Sequence, residues 1–140
     1  MGILHLRINK ANQNIDLPKE FRAQKLIFLR SIIVKDVAAG ATYGGTIMVD
    51  LDFFNGFEMT SNTNDNFLII PIKKAEEVQT QIFDQEFNSE DIKQSFNVKV
   101  YTSDGKTAAG FAGDGGSDAG KITYLDLFFQ VQSLYDYTQY

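Results

Sequence analysis

The 140 residues fall within the usual range of one domain, and an apolar share of 44% with 12 Phe and 6 Tyr is enough to enclose a core, which excludes disorder. Cysteine is absent, which excludes a disulfide framework, a thiolate nucleophile and a thiolate metal site. A net charge of −5 argues against specific nucleic-acid binding as the main task, because affinity for a phosphate backbone scales with the number of phosphates neutralised.

The start, Met1-Gly2-Ile3-Leu4-His5-Leu6-Arg7, lacks the basic opening and long apolar run of a signal peptide, and Leu6 breaks the myristoylation pattern that Gly2 begins. No stretch approaches the roughly 18 consecutive apolar residues of a membrane helix. The expectation is a protein made in a reducing compartment and not anchored to lipid.

Alternation of apolar and polar residues is the main structural signal, since successive side chains of a strand point to opposite faces and one face needs a core. Leu4, Leu6 and Ile8 fall on one side of the first segment, with His5 and Arg7 on the other. Lys25 to Lys35 is apolar on both sides, as suits a strand in the middle of a sandwich or at a subunit contact. Ile47, Val49, Leu51 and Phe53 alternate with Thr46, Met48, Asp50 and Asp52, a half-buried strand. The run Phe67 to Ile72 contains Pro71, whose missing N–H assigns it to an edge or a bulge.

Residues 75 to 87 are ambiguous. Ala75, Val78 and Ile82 recur at near-helical spacing, while Thr80, Ile82 and Asp84 fit a strand equally well, so one short helix near 75–92 is an open alternative. Phe96, Val98 and Val100 then alternate with Asn97, Lys99 and Tyr101 up to Asp104-Gly105, a tight-turn signal that predicts a hairpin. Gly110 to Gly120 reads as a surface loop. In the last strand Leu125, Leu127, Phe129 and Val131 face one way, and Asp126, Phe128, Gln130 and Gln132 the other. Seven or eight short strands without βαβ alternation predict an all-β fold: a single antiparallel β-sandwich domain over 1–140, and by length an eight-stranded jelly roll.

Charge is unevenly distributed. Residues 1 to 35 carry seven basic residues against Asp16 and Glu20, a balance of +5 that leaves −10 for the remainder. Dispersal over edges and loops is the plain reading. The sharper one is a basic surface facing a polyanion or the acidic part of a neighbouring copy.

Candidate chemistry is sparse. Gly115 to Lys121 matches the start of a phosphate-binding loop, but Ile122 replaces the magnesium-binding hydroxyl and a strand follows where a helix is required. Asp50 with Asp52, and Asp114 with Asp118, offer oxygens but depart from calcium-loop spacing. His5 is the lone histidine, so a metal held by several histidines cannot form, and no elbow or triad motif is present. No cofactor is implied and the expected class is not an enzyme. Phe53, Phe54 and Phe57 read as core filling, whereas Tyr135, Tyr137 and Tyr140, beyond the last strand, are the candidate subunit contact.

The segment Phe96 to Tyr101 with Asp104-Gly105, followed by Ile122 to Gln130, resembles the end of single jelly-roll penton or minor capsid proteins of virophages, polinton-like elements and related large DNA viruses. The strands at Leu26 to Val34 and Thr46 to Phe53 and the run Leu68-Ile69-Ile70-Pro71 follow in similar order. The resemblance implies a homopentamer at the five-fold vertices of an icosahedral virion, made inside the host cell and docked beside the major capsid protein. It supplies no catalytic residues. Penton proteins of that lineage often carry a further domain, and no loop here is long enough to hold one, which leaves another minor capsid role open. The competing expectation is a carbohydrate-binding or host-attachment β-sandwich, its contacts drawn from aromatic residues and the polar loops at 60–66 or 110–120.

Overall fold

The computed structural model describes residues 2–17, 25–36, 39, 43–51, 67–72, 77–88, 95–116 and 119–132. They form eight strands: β1 (Gly2–Ile8), β2 (Asn12–Asp16), β3 (Lys25–Lys35), β4 (Thr46–Leu51), β5 (Phe67–Pro71), β6 (Val78–Asn88), β7 (Ser95–Thr102) and β8 (Ile122–Gln132). Two four-stranded antiparallel sheets result, sheet A in the order β1-β8-β3-β6 and sheet B in the order β2-β7-β4-β5.

The pairing is nested. The first strand pairs with the eighth, the second with the seventh, the third with the sixth and the fourth with the fifth. Rolling this long hairpin brings β3 beside β8 and β4 beside β7, and the product is the expected jelly roll.

Inward side chains explain why the roll closes. Leu4, Leu6 and Ile8 of β1 lie opposite Phe129, Leu127 and Leu125 of β8, and all six are at most 8% exposed. Across the interior, Ile47, Val49 and Leu51 of β4 meet the same core as Leu68, Ile70, Val98 and Val100. Each such side chain contributes about 1.5–3 kcal/mol on burial.

Strand β3 carries apolar residues on both faces, and it is bulged. Phe28 and Arg30 pair with the adjacent residues Phe129 and Phe128, leaving Leu29 as an extra residue. The extra residue resets the phase, so Leu26 and Phe28 before it and Ser31 and Ile33 after it are all buried. Ser31 is the cost: its Oγ is buried with no hydrogen-bond partner among the described residues.

Three sequence expectations need correction or addition. The described part of the proposed helix near 75–92 is strand β6, antiparallel to β3. Val78 and Ile82, whose spacing suggested a buried helical stripe, are 59% and 82% exposed, while buried Gln79 and the half-buried Phe83, stacked 4.4 Å from Phe28, take the inward positions. Strand β2, Asn-Gln-Asn-Ile-Asp, escaped notice because its residues have low strand propensity; pairing with β7 holds it in place.

The Asp104-Gly105 hairpin forms, with Tyr101 bridged to Ala108, but not as a two-residue type I′ turn: Gly105 has φ of 71° and no non-glycine residue among those described has positive φ. Asp104 instead spans a wider loop. Its Oδ1 accepts from the amides of Lys106 and Thr107, each at 2.8 Å, and its Oδ2 from the Thr107 hydroxyl at 2.6 Å. These donors hold its pKa far below the ordinary carboxylate range. Pro71 ends edge strand β5, as its missing N–H requires.

At the end of the sandwich where β7 leads to β8, Tyr43 acts as a hub. It is 3% exposed, and its hydroxyl lies 2.7 Å from the carbonyl oxygens of both Gly110 and Gly120. One hydroxyl hydrogen bridges the two ends of the loop, and burial pushes the phenol pKa up, which keeps that hydrogen in place.

Two substitutions test these assignments by chemical denaturation. Tyr43→Phe removes the hydroxyl donor shared by the Gly110 and Gly120 carbonyls, of which Gly110 keeps the Ile122 amide, and should cost about 1–2 kcal/mol; an unchanged midpoint would contradict the hub. Ser31→Ala removes an unpartnered hydroxyl and should leave stability equal or raise it by about 1 kcal/mol, whereas a clear loss would mean that Oγ has a partner.

Candidate assembly surface

The two outer faces of the sandwich differ in chemistry. On sheet A the outward positions of β1 are Ile3, His5 and Arg7, and those of β8 include Tyr124, Asp126 and Phe128. From β3 come Arg30, Ile32 and Val34, and from β6 Val78, Thr80 and Ile82, each opposite its outward neighbour. This is an aliphatic and aromatic face with a few charges set into it.

Asp126 organises those charges. Arg7 donates to it through two nitrogens, Nε to Oδ1 at 2.8 Å and Nη2 to Oδ2 at 2.9 Å, and His5 Nε2 lies 3.0 Å from Oδ1. The rings continue the chain. His5 stacks on Phe128 with centroids 4.5 Å apart, the Arg30 guanidinium sits 4.5 Å above the other side of the network at Phe128, and the Arg7 guanidinium lies 4.2 Å from the Tyr124 ring. Such stacking fixes the cations in place and keeps Asp126, 3% exposed, away from water.

Burial opposes ionisation of Asp126, but hydrogen bonds from Arg7 and His5, together with their charges, outweigh it and hold the carboxyl below its ordinary range. The same bond raises the already high pKa of Arg7. Asp126 is therefore an ionised anchor inside an apolar face.

Sheet B presents amides and charges instead. Asn12, Lys99 and Asp50 stand in one cross-strand row over β2, β7 and β4, and with Asn97 they line a shallow depression of about 340 Å³. Asn97 Nδ2 donates to Oδ1 of Asn12 at 2.7 Å and of Asn14 at 2.9 Å, a ladder that fixes the amide orientations.

The other candidates resolve as follows. Asp114 Oδ2 accepts from the Ala11 amide at 3.0 Å, so one acid of the proposed oxygen-ligand pair ties the β1–β2 turn to the β7–β8 loop. A methyl group on Gly113 beside it would stand 2.3 Å from the Asn9 carbonyl oxygen, so this contact requires glycine. Lys121 donates to the Gly115 carbonyl, and β8 follows it directly, so a strand stands where a phosphate-binding loop requires a helix. Among the described residues no group of three or more His, Asp or Glu could hold a metal ion, and no helix is long and apolar enough to cross a membrane.

Tyr135, Tyr137 and Tyr140, the expected subunit contact, lie outside the described residues, as do Asp52, Phe53, Phe54, Phe57, Asp118 and the 60–66 loop. Sequence reasoning placed His5 and Arg7 on an outward side but missed their partner. An acid among outward aromatics in β8 was the available signal.

No protein-family model matches the chain, and no curated protein is significantly similar to it. The Asp126 network makes its own prediction. An acid whose native pKa is depressed stabilises the fold at pH values above the ordinary carboxylate pKa of about 3.9, and that stabilisation is lost as the pH falls through the native value. Asp126→Asn should cost about 1–3 kcal/mol at neutral pH and flatten the acid side of the stability profile relative to the parent. Parallel profiles for the two proteins would show that Asp126 is not held ionised.

Proposed function

We propose that this protein is a structural virion component, a penton or minor capsid subunit that acts by self-assembly and by docking to the major capsid protein. It performs no catalysis and works in the capsid, built inside the host cell. The outer face of sheet A is the observation that carries this reading: an aliphatic and aromatic face, with Ile82 at 82% and Ile3 at 61% exposure, is suited to burial against protein. The eight-stranded jelly roll and the resemblance of its last strands to single jelly-roll capsid proteins support it further. A homopentamer is the assembly that the resemblance implies.

The depression on sheet B favours a second reading, a carbohydrate-binding or attachment domain. Asn12, Asn97, Asp50 and Lys99 supply donors and acceptors of the kind that bind sugar hydroxyls, and Tyr101 lies on the same sheet.

Light scattering coupled to size-exclusion chromatography, with class-averaged images of the purified protein, distinguishes the two. Rings of five-fold symmetry are expected for the capsid subunit. A protein that stays monomeric at every concentration and binds glycans would overturn it in favour of the second reading.

A further inference from the structure

Two Asp-Gly pairs lie among the described residues, Asp104-Gly105 in the hairpin after β7 and Asp114-Gly115 at the end of the short 3-10 turn Ala112–Asp114. Aspartate followed by glycine is prone to rearrange, because no side chain shields the glycine nitrogen from the neighbouring carboxyl. Both pairs share that liability.

The rearrangement has a fixed chemistry. From the acid form of the side chain, the glycine nitrogen bonds to the aspartate Cγ, the amide hydrogen and the carboxyl hydroxyl leave as water, and a five-membered succinimide closes. Water then opens the ring at either carbonyl. Opening at the α-carbonyl leaves isoaspartate, whose main chain runs through the former side chain and is one carbon longer.

The two glycine nitrogens are held alike. Gly105 donates to the Thr102 carbonyl at 3.0 Å and Gly115 to the Ala112 carbonyl at 3.1 Å. The two carboxylates are not. Asp104 Oδ1 accepts from the Thr102 hydroxyl at 3.0 Å and from the amides of Lys106 and Thr107, each at 2.8 Å, and Oδ2 accepts from the Thr107 hydroxyl at 2.6 Å. These donors fix the group and keep it ionised, and an ionised carboxylate sheds oxygen poorly. Asp114 is exposed, and among the described residues its carboxylate accepts from the Ala11 amide alone, at 3.0 Å. It can turn toward Gly115 for the loss of a single contact.

We infer that, of these two pairs, Asp114-Gly115 is the site of spontaneous isoaspartate formation in the folded protein, while the clamp on Asp104 silences Asp104-Gly105. Modification at 114 has a structural consequence. The side-chain carboxyl that accepts from Ala11 becomes main chain, and the added carbon falls next to Gly113, where a methyl group would already collide with the Asn9 carbonyl oxygen. The β1–β2 turn thereby loses its tie to the β7–β8 loop, within a single chain and without a second copy.

Ageing the protein in warm neutral buffer, followed by trypsin digestion, tests this. Cleavage after Lys99, Lys106 and Lys121 puts Asp104 in the peptide Val100–Lys106 and Asp114 in Thr107–Lys121, and fragmentation that breaks the Cα–Cβ bond of the longer main chain marks isoaspartate at each position. In the folded protein isoaspartate should accumulate at 114 at least about tenfold faster than at 104, and in the chain unfolded by guanidinium chloride the two rates should converge. Thr107→Val, which removes one donor at an exposed position, should speed conversion at 104 roughly three- to tenfold and leave 114 unchanged. Equal rates in the folded protein, or a difference that persists after unfolding, would overturn the assignment. A folded Thr107→Val protein that converts at the parent's rate would remove the clamp as the cause.

Discussion

The pairing of β1 with β8 joins residues more than 115 positions apart in the sequence, Arg7 and Asp126 at a separation of 119 among them, and the rest of the fold depends on it. Once the first strand lies antiparallel to the last, every intermediate pair is drawn into register inside it, and the chain has one way to bury its apolar positions. The inner side of the pair supplies six core side chains, while the outer side carries the His5, Arg7 and Asp126 cluster. One backbone ladder therefore specifies both the interior and the character of the exposed face. Contacts of such long range carry a high loop-closure cost, which is recovered only when the core forms as a unit.

Strands that obey simple alternation were legible in the sequence. The last strand, the one over Thr46 to Leu51 and the one around Val98 put their apolar residues inside as their parity requires. Legibility failed where a second constraint overrode the pattern. In β3 the bulge at Leu29 shifts the phase, so the inward positions change parity within one strand. In β6 the pattern is inverted, with Gln79 buried and Ile82 exposed, and the inward amide is satisfied by the Pro71 carbonyl of the neighbouring sheet. In β2 polar residues form a strand because Asn97 ties Asn12 and Asn14 across it.

Little of the candidate surface could be read in advance. His5 and Arg7 were visible as outward residues, but their carboxylate partner is remote in sequence, and no local spacing encodes such a pair. Tyr43 was equally hidden, since its value lies in two glycine carbonyls that the β7–β8 loop brings to it. The imbalance of charge between the first 35 residues and the rest was legible, but its meaning was not. Strand order disperses it: Arg7 is bonded to Asp126, and Arg30, on the central strand β3, lies over Phe128.

The nested pairing is tested most directly by cross-strand Hα contacts in the nuclear magnetic resonance spectrum of the isotopically labelled protein. Contacts linking alternate residues of Ile3 to Ile8 with Gln130 to Leu125, in the register that sets Leu6 opposite Leu127, are predicted. Contacts joining β1 to β2 instead, as in a simple meander of sequential hairpins, would contradict the account.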